Sequence, residues 1–176
     1  MKQAIIVYAM VFALLSCRTG SVSYDYDKHA DFQKYKTYNF SDSINSLHIS
    51  QLDKDRIIAA VDEEMRSRGY AKSDNPELLV DLHVKALKET TAKATIVGTG
   101  WGYPFGTGFT ATSIDIDEYV EGTLFINIID KVQNHIIWQG RATKTLDVNA
   151  SPDQRESDIN TAVVSIFKKY PVEPLS

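Results

Sequence analysis

The chain has 176 residues, 43% hydrophobic and 24% charged, a composition that suits one globular domain. Its formal net charge of −4 excludes general nucleic-acid binding, which needs a basic face. No run of like charge marks a tail, and no repeat at solenoid or propeller spacing is present.

Met1-Lys2 is followed by an apolar run from Ala4 to Leu15 and then by Ser16-Cys17. A positive start, a short apolar core and a small residue before the cut make a secretory signal peptide. The run falls short of the roughly 20 residues that a membrane-spanning helix needs. Leu14-Leu15-Ser16-Cys17 resembles the bacterial lipobox, in which the cysteine is acylated and becomes the new N-terminus. Cys17 is the only cysteine in the chain, so it has no disulfide partner in an oxidising compartment. The expectation is an anchor carrying a diacylglycerol and an N-acyl chain. Residues 1–16 are then a signal peptide, 17–21 a lipidated tether and 22–176 a single α+β domain. Arg18 after the cysteine resembles outer-membrane sorting, which points to an outer-membrane protein facing the periplasm.

Val22, Tyr24 and Tyr26 alternate with polar residues, so a strand begins almost at once. Thr37 to Phe40 reads as a second strand. Ser50 supplies an N-cap oxygen with Asp53 three residues on. Leu52, Ile57, Ile58, Val61 and Met65 follow as a helical stripe, and Gly69 supplies the left-handed residue that ends it. This predicts a helix over 51–68. From Leu78 to Ala86 apolar residues alternate with Asp81, His83 and Lys85, a half-buried strand that runs on towards Ile96. The segment from Gly98 to Phe109 holds five glycines and four aromatics and is expected to be irregular. Ser151-Pro152-Asp153-Gln154 is a helix start, and Ile159, Val163, Ile166, Phe167 and Tyr170 form the stripe behind it.

Between these lies the most informative stretch, from Tyr119 to Thr145. Val120, Leu124, Ile126 and Ile128 share one face of one arm, and Ile136, Trp138, Gly140 and Ala142 one face of the other. Asp130 to Asn134 reads as the turn. Both apolar faces lie together only if paired positions sum to an even number, as when Ile128 faces Ile136 or Trp138. A loop of three or five residues follows, with Asn134 a candidate for positive φ. Gly122 and Gly140 are expected to make room beside Trp138 or to mark bulges. The element order β-β-α-β-β-β-α predicts an α+β fold, an antiparallel sheet of about five strands with two helices on one face.

Chemistry is sparse. No G-x-S-x-G or H-E-x-x-H motif occurs, and His83 falls on the polar face of its strand. The expectation is therefore no enzyme and no cofactor beyond the lipid. Asp115 and Asp117 share a strand face and are the weak candidates for a hard cation, although a charged guard on an exposed edge is the commoner use. Trp101, Tyr103, Phe105 and Phe109 are the candidate binding residues. They could stack on sugars, enter a lipid interface, dock a partner or fold back over the sheet.

The segments VSYDYDKHADFQKYKTYNF, NPELLVDLHV and YVEGTLFINIIDKVQNHIIWQGRA, in that order, resemble a bacterial lipoprotein family known as domain of unknown function 4136. The matching positions include Asp25, Asp27, Tyr35, Gly69-Tyr70, Gly122-Thr123-Leu124, Asp130 and Trp138-Gln139-Gly140. The resemblance implies a Gram-negative envelope lipoprotein with an α+β domain, and no activity. Asn127 departs from the pattern, where aspartate is commoner. The function expected is a lipid-anchored, non-enzymatic module that binds an envelope partner or supports assembly. The alternative is a small-molecule or glycan-binding module using the loop 98–109.

Overall fold

The computed structural model describes residues 20–97 and 111–175, with side chains described for 20–87 and 120–175. The strands are β1 (Ser21–Tyr26), β2 (Thr37–Phe40), β3 (Ala71–Lys72), β4 (Leu78–Val97), β5 (Ala111–Asp130) and β6 (His135–Leu146). The helices are α1 (Gln51–Ser67) and α2 (Pro152–Phe167). One sheet of six strands has the order β1-β6-β5-β4-β2-β3. The pairs β1/β6, β6/β5 and β5/β4 are antiparallel, while β2 runs parallel to β4 and β3.

The fold is α+β as expected, but the sheet is mixed and has a sixth strand. The physical reason is α1. A strand that enters a helix and returns beside itself comes back in the same direction. The additional strand, β3, is two residues long and exposed, too short to carry any alternation.

Both helices start at side-chain caps. The Ser50 hydroxyl accepts from the Asp53 amide, and the Ser151 hydroxyl from the Gln154 amide, with Pro152 opening α2. Each bond satisfies a donor that the first turn would otherwise leave free. Gly69 follows α1 at φ 84°. Ile57, Val61 and Met65 point inward from α1, and Val163, Ile166 and Phe167 from α2. Leu52 does not join them: it is 66% exposed. Stepping back from Ile57 by three or four residues reaches Lys54 or Asp53, so Leu52 lies off the stripe.

The helices cover the even-numbered face of β4 and β5, where Leu78, Val80, Leu82, Ile126 and Ile128 are fully buried. Trp138 joins them, its ring 5.9 Å from Phe167 and 5.2 Å from Tyr170. Gly140 is what admits that indole, since a Cβ there would collide with Trp138 and Ile166. At Gly122 the space is taken by Leu146.

In the β5–β6 hairpin Ile128 faces Trp138, one of the two pairings that parity allows. The odd loop is corrected, however. Asp130 pairs with His135 across the four residues Lys131–Asn134, and the register shifts between Ile128 and Ile129. A bulge with Ile137 as the extra residue restores the parity that the even loop would break. It also turns Ile136 outward, 44% exposed, and leaves Ile137 buried at 2%. Asn134 has φ 50°, the positive value expected.

β4 and β5 stay paired from Leu78 opposite Asp130 to Val97 opposite Ala111, whereas β6 stops at Leu146 opposite Val120. From Glu89 opposite Tyr119 onward the two strands have no third neighbour among the described residues. At about 3.3 Å per residue this leaves an arm roughly 30 Å long.

Candidate functional site

Three places on the domain carry features that packing alone does not require. The first is a cavity of about 240 Å³ between the sheet and the starts of both helices. Ile57, Val84, Leu124, Ala142, Leu146 and Ile159 give it apolar walls. Its rim holds two ion pairs. Arg155 Nη1 lies 3.3 Å from Asp53 Oδ2, and Lys144 Nζ lies 2.6 Å from Asp158 Oδ1. The Lys144 ammonium holds the Asp158 carboxyl below the usual carboxylate range. An apolar group could enter such a cavity, and four of the charged groups lining it are paired with each other. Sequence reasoning missed it because its lining is spread from Ile49 to Ala162, with no local motif.

The second is a polar ladder on the face away from the helices. Asp81, Asn127, Gln139 and Asp25 stand side by side across β4, β5, β6 and β1. Gln139 donates to Asn127 Oδ1 at 2.7 Å, and Asn127 donates to Asp81 Oδ2 at 3.2 Å. The Ser43 hydroxyl donates to Asp81 Oδ1. His83 Nε2 lies 2.7 Å from Asp81 Oδ2, with its side chain 55% exposed. Burial pushes the Asp81 carboxyl up, but Ser43, Asn127 and His83 outweigh it and hold the group below its ordinary value. An aspartate at 127 would set a second carboxylate against Asp81, whereas Asn127 presents a donor, so the departure noted in the sequence has an electrostatic reason. His83 is a surface histidine serving this ladder, in keeping with its place on the polar face.

The third is the sheet end that carries the arm. Ser21 of β1 pairs with Thr143 of β6, which pairs with Thr123 of β5. Before it, Gly20 packs against Thr143 and Lys144. β1 therefore begins at the same end of the sheet from which the β4–β5 arm projects. Within the arm Asp115 faces Lys93 and Asp117 faces Thr91 in the backbone register. Among the described residues no three His, Cys, Asp or Glu converge as metal ligands. Cys17, Trp101, Tyr103, Phe105 and Phe109 lie outside the described residues.

A structural residue also stands out. Asp130 receives the amides of Val132 and Gln133 at 2.8 and 2.9 Å and the Tyr35 hydroxyl at 2.7 Å. Burial raises its pKa, but those donors and Lys34 bring it below the normal value. Asp130 thus organises the hairpin turn and ties it to the segment ahead of β2.

No curated protein matches the chain. Among solved structures, a PDZ domain protein from Parabacteroides distasonis is 15% identical with a TM-score of 0.55, covering 96% of this chain and 40% of its own. The chain thus spans less than half of that protein, and the likeness is one of fold. The PelC dodecamer from Paraburkholderia phytofirmans is 12% identical over 84% of this chain and 93% of its own, with a TM-score of 0.49. A minor lipoprotein from Acinetobacter baumannii is 16% identical over 77% of this chain and 91% of its own, with a TM-score of 0.35. A family model matches residues 22–172, and the chain belongs to that family, described as domain of unknown function (DUF4136).

Proposed function

We propose that this is an envelope lipoprotein, acylated on Cys17 and held at the outer membrane facing the periplasm, whose domain binds a partner or supports assembly without catalysing a reaction. The observation that carries this reading is the arm. A small packed domain extends two strands roughly 30 Å past its own sheet, at the end where β1 begins. An isolated two-stranded ribbon is marginal in water, so such an arm gains most when something pairs with it or covers it. The family assignment and the lipobox resemblance at Leu14 to Cys17 support the anchor.

The test is metabolic labelling with palmitate of the parent and the Cys17→Ala variant, followed by membrane fractionation. The parent should take up label and sediment with membranes, and the variant should do neither. A variant that is still labelled and membrane-bound removes the anchor from the proposal.

The apolar cavity favours a second reading, a small-molecule module. An apolar ligand seated there should raise the melting temperature of the parent and have less effect on Ala142→Phe, which fills the space. That site differs from the loop 98–109 suggested by the sequence.

A further inference from the structure

We infer that the β4–β5 arm is a membrane-inserting hairpin, and that arms from several copies of this chain join edge to edge into a closed barrel in the bilayer that holds Cys17. The inference rests on the proposed acylation of Cys17.

Length is the first argument. The nine rungs from Glu89–Tyr119 to Val97–Ala111 lie beyond the sheet. A transmembrane β-strand needs about 9–11 residues, so each strand of the arm has the span required.

The second argument is the pattern along the register. Even positions of β4 face even positions of β5 throughout. Towards the tip these even positions are Ala92, Ala94, Ile96, Thr112, Ile114 and Ile116, with no charge among them. The odd positions there, on the alternate rungs, are Thr91, Lys93, Thr95, Ser113, Asp115 and Asp117, with Val97 and Ala111 at the tip. Within the arm the even side carries one charge, Glu118, on the second rung from the base, where headgroups would lie. Alternation of mainly apolar with mainly polar positions is what a barrel wall needs, one side meeting lipid and the other a wet interior.

The third argument is the reach of the tether. Cys17 precedes Ser21 by four residues, at most about 14 Å of extended chain. Ser21 stands level with Thr123, and the free arm begins at Tyr119, four residues further towards the tip. A bilayer holding Cys17 therefore lies no farther out than the base of the arm. An arm that points at that bilayer has its remaining length inside it.

The copies follow from the backbone. One hairpin carries two open edges of unpaired N–H and C=O groups, which hydrocarbon does not tolerate. Pairing edge to edge with further hairpins, until the sheet closes, satisfies every such group.

The experiment uses full-length, acylated protein in vesicles of phosphatidylethanolamine and phosphatidylglycerol. Acylation occupies the chain's only cysteine, so one introduced thiol can be labelled uniquely with an environment-sensitive fluorophore. Ala94→Cys, Ile114→Cys and Ile116→Cys should be quenched several-fold more by doxyl-labelled lipid than Lys93→Cys, Asp115→Cys and Asp117→Cys. Aqueous iodide should give the reverse order, and amine-reactive crosslinking should give a ladder of multimers. Iodide access at all six positions overturns insertion. Alternation with only monomer after crosslinking overturns the barrel, leaving a ribbon lying on the membrane surface. If palmitate labelling fails, the anchor has failed separately, and the quenching pattern of protein added to the vesicles still decides insertion.

Discussion

At the scale of single residues, Asp130 and Gly140 bear most weight. The Tyr35 hydroxyl donates to a buried carboxylate, a bond worth about 1.5–3 kcal/mol when the acceptor is charged. Tyr35→Phe should destabilise the domain by that amount at neutral pH, measured by urea unfolding. Because Asp130 has a lowered folded pKa, its contribution is present above the ordinary aspartate value of about 4. It is lost as pH falls through the folded value, so the gap between parent and variant should narrow in acid. A gap that stays constant with pH would show that the hydroxyl does not act through the carboxylate. Gly140→Ala should cost about 1–3 kcal/mol by forcing Trp138 and Ile166 apart. Gly122→Ala should cost less, because the obstacle there is Leu146, a flexible side chain that is 44% exposed. Equal melting temperatures for the two variants would contradict this account of the core.

At the scale of elements, the arm is separable from the fold. Replacing Glu89 through Tyr119 by Asn-Gly, which closes Lys88 to Val120 with a two-residue turn, should leave the melting temperature unchanged. Among the described side chains, the buried core cluster is drawn from residues 32–82 and 124–170. A large fall in stability would place the arm within the fold. Much of the element plan was legible in the sequence because its signals are local. Ser50, Ser151 and Pro152 mark helix starts, Gly69 an end, and the alternation in β4 and the parity of Ile128 with Trp138 mark paired faces. The parallel β2–β4 pairing was not legible, because it arises from where α1 returns the chain. The bulge at Ile137 was hidden as well, since Ile136 and Ile137 are equally apolar and only the turn decides which one faces inward. The candidate sites were less legible still. The cavity draws its walls from residues distant in sequence, and the arm becomes visible only when β6 is seen to stop at Leu146.

At the scale of the whole molecule, β1 begins at the end of the sheet from which the β4–β5 arm projects. The packed domain accounts for the described buried residues and the polar ladder for Asp81, Asn127 and Gln139. The proposed function rests on the arm. The most direct measurement is in-cell photocrosslinking from a photoreactive amino acid at position 93, compared with the chain whose arm has been excised carrying the same probe at position 85. The account predicts that both chains are acylated and membrane-bound. Only the intact chain should yield adducts, either to an envelope partner or to further copies of itself. No adduct from the intact chain, or the same adducts from the chain lacking the arm, would contradict it.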